Sequence, residues 1–175
     1  MRQMEFRELI KQLVLLFRPH TYVELGVRSG FTFNYIAPFV ERAAACDNGN
    51  MSKITPPSSV VEHYNMTTDK MAEVWKGDID LLFIDACHKY EQVMTDFDNF
   101  SKFVKPDTGL ILLHDTYPVN TKLCRPGYCN DAWMAARQIR KYYNKEFEIV
   151  TLPGPYAGMS IIRKATKQLG WREDT

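Results

Sequence analysis

The chain lacks any run of about 18 consecutive apolar residues, so no membrane-spanning helix is expected. It also lacks a surplus of charge. With 22 Lys+Arg against 21 Asp+Glu, the net charge is +1, which removes the electrostatic case for nucleic acid or an acidic membrane as partner. Cysteines are few, at 46, 87, 124 and 129, and their spacing forms no zinc pattern. Cys46 and Cys87 fall at the ends of expected core strands and read as buried thiols, and a Cys124–Cys129 disulfide does not suit a reducing cytosol. There is no Gly-x-Gly-x-x-Gly fingerprint, which argues against a nicotinamide-dependent oxidoreductase, and no Asn-Pro-Pro-Tyr segment of the kind that serves base methylation. Repeats and low-complexity stretches are absent too.

What is present suits one globular domain: 175 residues, 45% apolar and 25% charged. The first residues, MRQMEFRELIKQLVLLF, interleave charges with apolar positions and read as an amphipathic helix over 4–17, not a signal peptide. Cytoplasmic residence is the default expectation. We divide the chain into an N-terminal helix (1–18), a core (20–165) and a tail (166–175). Strands are expected at Thr21–Leu25, Arg42–Cys46, Ser59–Tyr64, Asp80–Asp85 and Leu110–His114. Helices are expected at Phe31–Phe39, from Thr67 or Thr68 to Lys76, at Tyr90–Phe103, and from an Asn130 or Asp131 cap to about Tyr143. Phe147–Thr151 and Met159–Arg163 read as a closing antiparallel pair. Continuous apolar strands alternating with helices predict an α/β fold: a Rossmann-like three-layer domain around a mostly parallel, twisted sheet of about seven strands with an antiparallel C-terminal hairpin.

Ligands of such sheets bind beyond the carboxyl ends of the strands. Tyr22-Val-Glu-Leu-Gly-Val-Arg-Ser-Gly30 is a strand leading into a glycine turn that opens a helix. Gly26 and Gly30 let backbone approach a nucleoside-type cofactor, with Glu24 and Ser29 beside them. Asp47 ends the second strand, where a carboxylate can accept from ribose hydroxyls, or it is a turn aspartate before Asn48-Gly. Two polar clusters follow buried strands, Asp85-Ala-Cys-His88 and His114-Asp115. Adjacent parallel strands would bring these four together, either to hold a divalent metal or to position a hydroxyl and take its proton. Histidine suits the base role because its ordinary pKa is about 6.5.

With Glu24 to Gly30 (Glu-x-Gly-x-x-x-Gly), Phe83 to Tyr90 (Phe-Ile-Asp-x-x-His-x-Tyr), Leu112 to Asp115 (Leu-x-His-Asp) and the final Gly154 to Lys164, the chain resembles class I S-adenosylmethionine-dependent methyltransferases, more narrowly methyltransferase family 24. The resemblance spans roughly residues 20 to 165. It implies S-adenosylmethionine as cofactor: methionine part on Glu24 and Gly26, ribose on Asp47, adenine near Asn48, Met66 and Thr67, sulfonium beside Asp85. It implies O-methylation of a small-molecule or sugar hydroxyl, with His88 or His114 as base. It further implies Asp85, His114 and Asp115 as ligands of a divalent metal. His114 departs from an all-oxygen shell: either the metal is manganese, iron or zinc instead of magnesium, or His114 is a second base, or no metal binds. Tyr90, Tyr117, Arg125 and Tyr156 are candidates for the acceptor pocket, helped by the N-terminal helix and the loop Thr116–Asn130. A second copy of the chain is one way to complete that short region. The alternative function is a non-catalytic cofactor-binding domain acting as a subunit of a larger assembly.

Overall fold

The computed structural model describes residues 6–56, 60–154 and 157–165. Ser59 of the third expected strand, Tyr156 and the tail after 165 lie outside the described residues, as do residues 4 and 5 of the first helix.

Helix α1 (Phe6–Phe17) precedes β1 (Thr21–Leu25), α2 (Phe33–Ile36), β2 (Arg42–Cys46), β3 (Val60–Tyr64), α3 (Thr68–Val74) and β4 (Leu81–Ile84). Then come α4 (Tyr90–Ser101), β5 (Leu110–His114), α5 (Trp133–Tyr142), β6 (Phe147–Leu152) and β7 (Met159–Lys164). The seven strands form one sheet in the order β3-β2-β1-β4-β5-β7-β6. β1 to β5 are parallel, while β7 pairs antiparallel with both β5 and β6. The expected fold class holds.

The central strands are apolar because both faces are covered. All five residues of β1 and all four of β4 are buried. One face carries Trp75, Phe97, Phe100 and Phe147; the other carries Ile10, Tyr22, Phe33 and Phe83. Helix α1 adds Ile10 and Val14 to the second layer, one turn apart on its inner stripe. Helix α4 buries Val93, Phe97 and Phe100, the face its spacing indicates.

Three expectations need correction. The helix expected from Phe31 begins at Phe33 and becomes 3₁₀ at Ala37–Phe39, because Pro38 has no N–H to continue the α ladder. With only four residues, α2 adds no anion-binding helix terminus of consequence. Helix α5 starts at Trp133 without a side-chain cap. Asp131, expected to cap it, instead accepts a 2.7 Å bond from the Tyr90 N–H and caps α4 across the fold. Cys87 is only half-buried, since it follows β4 out of the core, whereas Cys46 is fully buried. No helix among the described residues is long and apolar enough to cross a membrane.

Candidate active site

The strand order reverses between β1 and β4, and a crevice opens at such a switch point. A cavity of about 750 Å³ lies there, bordered by the residues that leave the carboxyl ends of β1, β2, β3, β4 and β5. Of the expected site residues, Glu24, Gly26, Ser29, Asp47, Asn48, Met66, Thr67, Asp85, His88, His114 and Asp115 border it. Gly30 does not. At φ +74 it closes the turn by donating its N–H to Val27 O at 2.8 Å.

Gly26 brings two strand exits into contact. Its φ is +87, and a Cβ there would stand 2.3 Å from Ala86 Cα. The turn is then tied to β2 by Asp47, whose Oδ2 accepts from the Arg28 N–H and whose Oδ1 accepts from the Gly49 N–H, both at 2.7 Å. Asp47 is thus a turn aspartate as well as a cavity residue. Thr67 caps α3 by accepting from the Lys70 N–H at 3.4 Å. Glu24 lies 2% exposed at the cavity floor. Tyr22 donates its hydroxyl to Glu24 Oε2 at 2.5 Å. Burial raises the Glu24 carboxyl well above the usual carboxylate range, with nearby Asp85 adding to it, although the Tyr22 hydrogen bond opposes the rise.

At the β4–β5 end the four polar residues meet. His88 reaches Asp115 Oδ2 through Nδ1 at 2.9 Å and Asp85 Oδ1 through Nε2 at 3.4 Å. Its Nδ1 also lies 2.5 Å from the Tyr128 carbonyl. His114 Nδ1 sits 3.0 Å from Asp85 Oδ1 and 3.4 Å from Asp115 Oδ1. Asp115 adopts φ +59, a left-handed conformation that aims its carboxylate back at His88. The buried Cys129 thiol donates to Asp115 Oδ1 at 3.6 Å.

These contacts fix the charges. Hydrogen bonds to Asp115 and then Asp85 push His88 up to about 11. The sequence expectation of an unperturbed base is therefore corrected: in this arrangement His88 is an imidazolium at neutral pH. Burial works against the charged form of His114, but Asp85 outweighs it and the net shift is upward. Burial likewise opposes ionisation of Asp85, yet His114 and His88 together hold it below its ordinary value. Two carboxylates thus face the His88 imidazolium and a second ring, His114, whose charged form Asp85 favours against burial.

The donor atoms that lie within 4.8 Å of one another belong to Asp85, His88 and Asp115. The expected metal set named His114 instead of His88. The His114 ring packs 4.3 Å from Phe6, so α1 roofs it. Two carboxylates and an imidazole fit manganese, iron or zinc better than magnesium.

The N-terminal helix, expected to help shape the acceptor region, contributes Phe6 to the cavity. Phe31, Asp69 and Gln92 also border it and were not anticipated. Gln92 sits inside α4, away from the strand ends where motif reading looks. The signal for it was Asp96, one turn on, a carboxylate among the buried Val93, Phe97 and Phe100. Tyr90 packs into the core and Arg125 stacks 4.5 Å over Tyr128; neither they nor Tyr117 border the cavity.

Comparison with known proteins places this geometry. A family model described as a methyltransferase domain, that of methyltransferase family 24, matches residues 23–116. No curated protein sequence matches the chain. Among solved structures, the O-methyltransferase TomG from Streptomyces achromogenes, involved in tomaymycin synthesis and in complex with S-adenosylmethionine, is similar with a TM-score of 0.71 at 12% identity, covering 91% of this chain and 79% of that one. An O-methyltransferase from Bacillus cereus in complex with S-adenosylhomocysteine gives 0.64 at 17% identity, with coverages of 91% and 80%. The N-methyltransferase NodS from Bradyrhizobium japonicum WM9 gives 0.65 at 14%, with 91% and 97%. At these identities the likeness is one of fold.

Proposed function

The chain belongs to the methyltransferase-domain family 24, and on that premise we propose that it transfers the methyl group of S-adenosylmethionine to a hydroxyl of a small-molecule acceptor. The observation that carries the reading is that one cavity brings together the Gly26 turn packed on the Asp85–Ala86 backbone, Asp47 at the end of β2, and the Asp85–His88–His114–Asp115 cluster. The cofactor fits along the glycine turn from the β4 exit toward Asp47, because Gly26 leaves no Cβ between the turn and that exit. Glu24 and Gly26 would hold its methionine part, Asp47 its ribose, and Met66 and Thr67 would border its base. Its sulfonium supplies an activated methyl group, and the protein supplies orientation and dry surroundings.

Asp85, His88 and Asp115 would hold a divalent cation, which when bound supplies Lewis acidity toward an acceptor oxygen. The donor set accommodates it, because the two carboxylates that hold the His88 proton can instead neutralise a divalent charge. His88 must surrender its proton to ligate. His114, oriented by Asp85, is then the group that receives the acceptor hydroxyl's proton. Phe6 over His114 excludes water from one face of that ring.

Calorimetric titration of S-adenosylmethionine and S-adenosylhomocysteine, first with EDTA and then with manganese, tests the reading. Micromolar binding supports the cofactor assignment. Manganese-enhanced binding lost in Asp115→Ala supports the metal ligands. No binding of either compound under any condition would overturn the methyltransferase reading. A second reading, a cofactor-binding subunit without turnover, is favoured by one observation: both ring nitrogens of His88 are already engaged. Binding with no methyl transfer to a panel of phenols and sugars, with any metal, would select it.

A further inference from the structure

The wall between α3 and α4 carries a hydrogen-bond imbalance. Gln92 borders the cavity, and its amide nitrogen is surrounded by Asp96 Oδ1 at 3.0 Å, Asp69 Oδ1 at 3.3 Å and Thr68 Oγ1 at 3.4 Å. One amide nitrogen has two hydrogens, so three acceptors oversubscribe it. One turn deeper, Asp96 is 0% exposed, and its Oδ2 is a buried side-chain oxygen with no partner among the described residues. Burial pushes this carboxyl up to about 6 against hydrogen bonds from Thr68 and Gln92. The wall is rich in acceptors and short of donors.

That shortage fixes the orientation of Gln92. Its NH₂ must face the wall, because the carbonyl turned inward would meet the carboxylate oxygens of Asp96 and Asp69 and leave Asp96 without its amide donor. The carbonyl oxygen is then the atom free to serve the cavity, and no hydrogen bond to it comes from the described residues. The side chain stands against Thr68 and Asp69, which directly follow Met66 and Thr67, where the proposed function puts the cofactor's base.

We infer that Gln92 determines which nucleoside this cavity takes: its carbonyl oxygen accepts a hydrogen bond from the exocyclic amine of a 6-aminopurine and rejects the 6-oxo base, while Asp96 positions Gln92 without touching the ligand. The inference rests on the cofactor reading above and adds to it the atom that reads the base. A 6-oxo purine would set carbonyl against carbonyl. Asp96 acts one layer back. Shortening or neutralising it releases the amide to rotate.

The test is calorimetric binding of S-adenosylhomocysteine and its 6-oxo analogue S-inosylhomocysteine to the full chain and to the Gln92→Met and Asp96→Asn variants. The wild type should bind the 6-amino compound at least about tenfold more tightly, the scale of one mismatched hydrogen bond. Gln92→Met should bring that ratio close to one, and Asp96→Asn should lower it. The ratio is the readout because a purely structural role would weaken both ligands equally. Equal wild-type affinity for the two compounds overturns the inference and needs no variant to fold. A ratio unchanged in Gln92→Met also overturns it, and a ratio unchanged in Asp96→Asn overturns the positioning role. No binding of S-adenosylhomocysteine at all overturns the cofactor reading and this inference together, whereas binding without discrimination overturns this inference alone.

Discussion

Replacing Gly26 with alanine should damage both stability and ligand binding, by amounts that can be separated. The added Cβ would meet Ala86 Cα at 2.3 Å, Asp85 O at 2.4 Å and Ala86 N at 2.5 Å, all of them backbone. Ordinary contact begins at 3.4 Å, so the exit of β4 must retreat by about 1 Å. Such overpacking costs about 1–3 kcal/mol. The backbone at φ +87 adds a left-handed cost of about 1–2 kcal/mol. A total of about 2–5 kcal/mol corresponds, at this chain length, to a Tm fall of roughly 5–15 °C. Gly127 is the control: its φ is +85 and a Cβ there meets nothing within 4 Å, so Gly127→Ala bears the backbone cost alone. Because Asp85 moves with Ala86, Gly26→Ala should also weaken S-adenosylhomocysteine by at least about tenfold, and a 1 Å misplacement can cost about 10²-fold in turnover. Calorimetric melting and titration of both variants decide the matter. If Gly26→Ala melts with Gly127→Ala and binds like wild type, the close approach of the β1 and β4 exits does not build the site.

His88 should keep its proton throughout the neutral range. In metal-free protein its imidazole Cε1–H resonance should not titrate between pH 5 and 9, and titration near 6.5 would refute the bridge to Asp115 and Asp85. The linkage sign follows: a raised folded pKa stabilises fully below about 6.5, and that contribution is lost as pH rises toward about 11, so wild type should lose Tm over this window relative to His88→Gln. Tyr22→Phe removes the hydroxyl that Glu24 accepts from and should cost about 1–2 kcal/mol by chemical denaturation, with an unchanged midpoint refuting the buried bond. Asp131→Ala should cost about 1 kcal/mol by uncapping α4, seen as faster amide exchange at Tyr90; unaltered exchange there would place the cap elsewhere.

The strands could be read from the sequence because their runs are bounded by glycine or polar residues: Thr21–Leu25, Arg42–Cys46 and Leu110–His114 stand where expected. Their order could not. That β1 lies between β2 and β4 is a pairing of residues some 60 positions apart, such as Tyr22 with Leu81, which no local pattern encodes. The same limit governs the side chains. Asp131 looked like the cap of the helix that follows it and serves the helix 41 positions back. Asp85, His88, His114 and Asp115 could be grouped from strand adjacency. That His88 bridges both carboxylates, while His114 lies under Phe6, depends on rotamers and on α1, and inverted the expected charge state of the base. Asn34 is a further case: it donates to Lys53 O and accepts from the Thr55 N–H, bonds across 19 and 21 positions that hold the turn after β1 against a distant loop.

The left-handed backbone at Asp115 narrows what can replace it. At φ +59, glycine fits freely, and asparagine and aspartate are the residues with side chains that adopt it most readily. Glycine would delete the carboxylate, leaving asparagine as the one neighbour that preserves both the turn and a side-chain oxygen near His88. A descendant that retains this turn can therefore lower the negative charge of its site by one unit in a single step, with the sheet untouched. Along that path the charge of the cluster changes while its backbone does not.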